Sequence, residues 1–137
     1  MPDPCTYDYA IVRVVPRVER GEFVNVGAIV SSDAKGYLAA RFAIDDARLR
    51  ALDPHVDLKA VRTALDAIAA VCIGGAAAGA IGRLSLRERF HWLVAPRSTI
   101  IQTSAVHTGR CDDLAGALDH LLERMVRPPS PSSPSPP

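Results

Sequence analysis

The sequence predicts a single α+β domain, in which an antiparallel sheet of about four strands carries helices on one face. Alternating apolar segments occupy the first third of the chain, helical 3–4 spacings follow them, and one late strand-like segment precedes the last helix. Strands grouped ahead of helices are typical of this class. The chain has 137 residues, of which 48% are apolar, so it is long enough for one packed core. The predicted domain spans residues 1–127, and residues 128–137 form a Pro/Ser-rich tail that is predicted to be disordered.

Four segments have strand character. The first three are Tyr7–Val15, which stops at Pro16, then Phe23–Ser31, and then Tyr37–Ala43 after a short hairpin loop. The late strand is Ser98–Val106. These segments form the predicted antiparallel sheet.

Capping residues locate the helices between and after these strands. Asp45 or Asp46 precedes a short helix, Asp57 precedes a longer one that Gly74 ends, and Asp112 precedes the last helix. Ser85 and Glu88 have the spacing of a capping box. The two short predicted helices are Ala47–Leu52 and Leu86–Val94. The stretch Gly74–Gly82 is rich in Ala and Gly and is interpreted as a linker.

The apolar alternation also predicts how the first three strands pair. Stacking apolar residues on one face pairs Val14 with Val26, Val12 with Ala28 and Ala10 with Val30.

On the opposite face, this register places Arg13 and Arg41 on either side of Gly27, next to Asn25. Two guanidinium groups beside a residue without a side chain could receive a carboxylate or a phosphate. Two alternatives remain open. The arginines could pair with acidic residues of the preceding turn, or Gly27 could mark a β-bulge.

The turn between the first two strands is unusually charged. It carries Arg17, Glu19, Arg20 and Glu22 around Gly21. Because a hairpin does not need so many charges, the turn and the arginine face are together predicted to form a recognition surface. Farther along the chain, the segment Pro96–Gly109 adds two candidate ligand-binding residues, Arg97 and His107. A hydrogen-bonded loop role is the alternative for His107.

Composition narrows the possible functions. The net charge of +1 gives no support for polyanion binding through bulk charge, and a 5% aromatic content weakens a nucleic-acid-binding hypothesis.

Three cysteines without a C-x-x-C pair argue against a disulfide framework and a zinc site, so no metal and no cofactor are expected. The N-terminus lacks the apolar segment of a signal peptide, and no apolar run approaches the roughly 20 residues of a membrane span. A cytoplasmic protein is expected.

Two stretches, YDYAIVRVVPRVERGEFVNVGAIV and ERFHWLVAPRSTIIQTSAVHTG, resemble a bacterial family of unknown function, DUF3037. The resemblance runs from Tyr7 to the end of the last helix. Members of that family are often encoded beside a kinase similar to the HipA toxin of toxin–antitoxin systems, which implies a role as partner or modulator. The family has no assigned reaction, so no residue role is carried over from it.

Three functional hypotheses follow. The first is a binding or modulator module, with a HipA-like kinase as the possible partner. The second is a small enzyme or sensor of an anionic ligand that uses Arg13, Asn25 and Arg41, with Arg97 and His107 as further candidates. The third is a nucleic-acid binder.

Overall fold

A computed structural model of the chain describes residues 4–129. Within that range, a five-stranded antiparallel sheet has the order β3-β2-β1-β4, and β5 also pairs with β1. The strands are β1 Cys5–Val14, β2 Val24–Ser32, β3 Tyr37–Phe42, β4 Ile101–Thr103 and β5 His107–Cys111. The helices are α1 Asp46–Leu52, α2 Leu58–Ile73, α3 Leu86–Val94 and α4 Leu114–Leu121, which continues as a π-helical turn, Leu122–Val126. The predicted single α+β domain with an antiparallel sheet is confirmed.

Helices cover both faces of the sheet, whereas the sequence pattern predicted them on one. α1, α2 and α3 pack against Val12, Val14 and Ile29, and α4 with its π-helical turn packs against Ile11 and Val30. Both cores meet at β2, in which every residue but Asn25 is buried. A strand that is buried on both faces loses the apolar–polar alternation that reports its orientation.

The predicted strand register is wrong for this reason. β1 pairs Ile11 with Ala28 and Val12 with Gly27, and β3 pairs Arg41 with Ala28. After Val12 the register shifts, so that Arg13 pairs with Asn25. The extra residue in β2 is a β-bulge directly before Gly27, close to where the bulge alternative placed it.

Two strand glycines make room for aromatic rings. A Cβ on Gly27 would collide with the ring of Phe42 and with the carbonyl oxygen of Arg41. A Cβ on Gly109 would lie 2.6 Å from the ring of Tyr7 on the neighbouring strand. Close approach of a ring to the backbone therefore explains why β2 and β5 contain glycine.

The predicted late strand, Ser98–Val106, contains only the short strand β4, and an additional strand, β5, follows after a break at residues 104–106. β4 and β5 both pair with β1, and Ser104 bridges the break. Its hydroxyl accepts a hydrogen bond from the Ile11 amide at 2.9 Å, and its own amide donates to the Ile11 carbonyl at 2.8 Å. The break therefore leaves the backbone of β1 hydrogen-bonded.

The helix caps largely match the prediction. Asp45 caps α1, Asp57 caps α2, and Ser85 and Glu88 form a capping box at α3. The last helix starts after Asp113 rather than after Asp112. The linker Gly74–Gly82 folds into two short 3-10 turns, which the Gly75 amide closes by donating to the Gly82 carbonyl at 2.9 Å.

The predicted tail lies largely outside the described residues, since only Pro128 and Pro129 fall within them. We expect its deletion to leave the thermal midpoint within about two degrees, because Pro and Ser offer little apolar area against roughly 1–2 kcal/mol of ordering entropy per residue. Among residues 4–129, no helix has the length and apolar character needed to cross a membrane.

Candidate functional site

The predicted arginine face does not form. Arg13 and Asn25 are paired on the face that α4 covers, whereas Gly27 packs on the opposite face beneath Phe42. Arg41 lies on the α4 face but makes an ion pair with Asp119 of that helix. Because Gly27 pairs with Val12 and Phe42 instead of Arg13 and Arg41, the three-residue arrangement that was expected to bind an anion does not exist.

Arg13 and Asn25, which do lie together, contribute to packing at the end of the chain's last helix. The Arg13 guanidinium stacks 4.0 Å from the centroid of the Phe23 ring. The Asn25 side-chain amide donates to the carbonyl of Met125 at 2.9 Å. Arg13 Nε and Asn25 Oδ1 are buried without a hydrogen-bond partner among the described residues. Asn25 thus joins β2 to the π-helical turn, and Arg13 packs against Phe23.

The charged turn, residues 17–22, is exposed, but much of its charge is paired locally. Arg17 lies 3.6 Å from Asp53 at the end of α1, and Arg20 makes an ion pair with Glu22. The Arg20–Glu22 pair is exposed on both sides, so it contributes about 0–1 kcal/mol to stability, whereas Asp53 of the other pair is buried. A cavity that Arg17, Arg20 and Glu22 line at this turn has a volume of about 10 Å³, which is too small for a partner's side chain.

Arg97 holds the C-terminal end of α3. Its guanidinium donates to the carbonyls of Leu93 at 2.9 Å and Trp92 at 2.6 Å, and it stacks 4.5 Å from the Trp92 ring centroid. The last carbonyls of a helix have no partner within the helix, so a cation there satisfies them. Arg97 thus fixes the position of the Trp92 ring.

A groove opens beside that ring, between α2, α3 and β4. It has a volume of about 170 Å³ and a largely apolar lining. Trp92 is 41% exposed at this groove. The lining residues of this Trp92 groove are Ala64, Ala67, Ile68, Trp92, Leu93, Arg97, Thr99, Ile101, Gln102 and Thr103.

A second cavity of about 210 Å³ adjoins the Trp92 groove and shares Arg97, Gln102 and Thr103 with it. Its far end is formed by residues 104–106, and the Val106 side chain there is exposed. The Gln102 amide donates to the Thr99 carbonyl at 2.9 Å, which holds this side chain at the boundary. The two cavities therefore form a two-lobed surface with an apolar residue at each end and polar groups between them.

The remaining candidate, His107, begins β5 and lies outside both lobes. It pairs with Tyr9, and the two ring centroids are 5.4 Å apart. Within residues 4–129, no group of three or more His, Cys, Asp or Glu side chains is arranged to hold a metal ion. Of the predicted site residues, only Arg97 lines the groove.

Trp92 lines the groove but is not among the predicted site residues. On the same helix, Phe90 and Leu93 are buried, whereas Trp92 is half-exposed. Successive helical residues differ by about 100° around the axis, so the position before Leu93 points away from the buried face. A helical projection of this short helix could therefore have identified Trp92 as exposed.

Comparison with known proteins places the chain in a family. The family model described as a protein of unknown function, DUF3037, matches residues 9–126. The chain belongs to this family, as the resemblance of its two motifs indicated. No curated protein and no solved structure matches it significantly.

Proposed function

We propose that this DUF3037 protein is a small bacterial, cytoplasmic binding module, and that the Trp92 groove receives apolar side chains of a protein partner. The observation that carries the proposal is a half-exposed tryptophan at an otherwise apolar concave surface. Tryptophan and arginine are enriched among the residues that dominate binding energy at protein interfaces. The cytoplasmic location rests on the sequence composition.

The dimensions of the surface favour a protein segment over a compact small molecule. Each lobe, at about 170 and 210 Å³, is smaller than the roughly 300–1,000 Å³ of typical small-molecule pockets. Two shallow lobes in series suit two side chains of one segment. Gln102 and Thr103, between the lobes, could hydrogen-bond to the backbone of such a segment.

A HipA-like kinase is the partner that we propose. The support is the gene neighbourhood that the family resemblance implies. A partner or modulator of a kinase needs a binding surface and no catalytic group of its own. The Trp92 groove supplies such a surface.

Calorimetric titration with a HipA-like kinase from a locus that also encodes a DUF3037 protein tests the proposal. Trp92→Ala should weaken binding by at least about 2 kcal/mol, which is roughly a thirtyfold rise in Kd. Phe23→Ala is the matched control, because Phe23 is also an exposed aromatic residue under a stacked arginine but lies at the charged turn.

The outcomes test the identity of the partner and the location of the binding surface separately. If the parent protein does not bind the kinase, the proposed partner is wrong. If the parent binds and the Phe23 variant loses more affinity than the Trp92 variant, the partner is right and the charged turn is the recognition surface.

A further inference from the structure

Two of the three cysteines face each other across neighbouring strands. Cys5 opens β1, Cys111 ends β5, and the two are direct partners in the antiparallel pairing. Directly opposed residues share a face of the sheet, and their Cα atoms are about 4.5–5.5 Å apart. A disulfide needs Cα atoms about 4.4–6.8 Å apart, so this position accepts one without moving the backbone. Both thiols are free and partly exposed.

The surroundings distinguish this pair from the third cysteine. Burial raises the pKa of Cys72 to about 12, so its thiol stays protonated and unreactive near neutral pH. Burial also raises the pKa of Cys111, and the adjacent Cys5 thiol raises it further. The raised pKa makes Cys111 the slower thiol to ionise, so we assign the first attack to Cys5. A metal site is not the alternative, because the described residues offer no third ligand beside the pair.

We propose that Cys5 and Cys111 form a reactive dithiol that closes to a cross-strand disulfide on contact with a low-molecular-weight disulfide such as oxidised glutathione. The Cys5 thiolate attacks one sulfur of oxidised glutathione, forming a mixed disulfide and releasing one glutathione thiolate. The Cys111 thiolate then attacks the Cys5 sulfur and releases the second glutathione. The protein loses two electrons and two protons, and one oxidised glutathione becomes two reduced glutathiones.

The bond would join the first residue of β1 to the last residue of β5, three residues before α4 begins. It would hold the edge strand and the start of α4 to the centre of the sheet. A cross-link that closes so long a loop restricts the unfolded chain, and we expect it to raise the thermal midpoint by about 5–15 °C. An odd number of cysteines argues against a fully paired framework, yet it permits one pair together with a buried Cys72.

The test exposes the folded full-length protein to oxidised glutathione at mildly alkaline pH, with circular dichroism recorded before and after. The thiol titre should fall from three to one, the mass should decrease by two hydrogens, and the protein should remain monomeric on a non-reducing gel. A reducing agent should reverse the rise in thermal midpoint. In the matched control Cys72→Ala, the titre should fall from two to zero.

Removing the resolving thiol separates this proposal from simple thiol modification. Cys111→Ser should stop at a stable glutathione adduct on Cys5, without the rise in thermal midpoint. A parent protein that keeps three thiols, retains glutathione, links Cys72 or forms disulfide-linked dimers would overturn the proposal.

Discussion

Two exposed aromatic residues in this protein lie under arginines, and their surroundings differ. Arg13 stacks 4.0 Å from the Phe23 ring centroid beside the charged turn, and Arg97 stacks 4.5 Å from the Trp92 ring centroid beside the groove. At the charged turn next to Phe23, the surface has a cavity of only about 10 Å³. Around Trp92 it is concave and apolar. The same contact thus occurs once next to a cavity too small for a partner's side chain and once beside a groove of about 170 Å³.

The way each arginine is held adds to the difference. Arg97 donates to carbonyls of the helix that carries Trp92, so ring and cation are fixed on one element. Arg13 lies on β1, whereas Phe23 lies in the loop before β2. The Arg13 Nε atom has no hydrogen-bond partner among the described residues. A pre-fixed anchor loses less entropy on binding. The comparison therefore favours the Trp92 groove as the recognition surface.

The largest expected effect concerns the core that β2 forms with α1, α2 and α3. Val26→Asp should abolish folding, because Val26 is 0% exposed and the new carboxylate would have no partner. Val18→Asp, in the charged turn, is the control, since Val18 is 41% exposed. Urea denaturation should show less than about 0.5 kcal/mol of change for Val18→Asp. A folded Val26 variant would contradict the observed packing of β2.

Gly27→Val tests whether Gly27 serves packing rather than ligand binding. The added side chain would meet the Phe42 ring and the Arg41 carbonyl, and such overpacking costs about 1–3 kcal/mol. Combining it with Phe42→Leu should recover part of that loss in urea denaturation, because the smaller side chain leaves space. A variant as stable as the parent would show that the ring does not press on Gly27.

Arg97→Ala sharpens the comparison of the two stacks. We expect a loss of about 1–3 kcal/mol in unfolding free energy, because hydrogen bonds from a charged group to the end of α3 disappear. Trp92 is the only tryptophan, so its acrylamide quenching reports on the ring directly, and quenching should increase. Arg13→Ala should leave the quenching unchanged. Equal quenching in both variants would mean that Arg97 does not position the ring.

The smallest expected effect concerns the exposed ion pair between Arg41 and Asp119. A double-mutant cycle with Arg41→Ala and Asp119→Ala should give a coupling energy below about 1 kcal/mol, because both side chains are exposed. If Arg13 and Arg41 formed an anion-binding face, replacing both with Ala would weaken binding more than tenfold. Since the two arginines do not flank Gly27, we now expect the double variant to bind the kinase as the parent does. A tenfold loss would restore the arginine face as a recognition surface.

Local signals carried the fold prediction. The α2 and α3 termini follow from Asp57, Gly74 and the Ser85–Glu88 capping box, which act within one helical turn. The family was also recognised from two continuous stretches. These features depend on residues that are close in sequence, so the sequence alone was sufficient.

The features that the sequence did not predict depend on contacts between residues far apart in the chain. The register failed because α4 covers the second face of β2, and the bulge before Gly27 shifts the pairing by one residue. The groove forms where α2, α3 and β4 meet. No local sequence pattern reports that these three elements are close in space. The Cys5–Cys111 pairing likewise joins the two ends of the domain. The many charges of residues 17–22 led to the prediction of a recognition surface there. Charge content, however, does not indicate whether a surface is concave.

Acrylamide quenching of Trp92 fluorescence during titration with the HipA-like kinase tests the central claim most directly. If the groove is the recognition surface, quenching falls as the complex forms, and Phe23→Ala shows the same fall at the same kinase concentration. If the kinase binds while quenching of Trp92 stays constant, the partner lies elsewhere on the protein and the Trp92 groove is not its binding site.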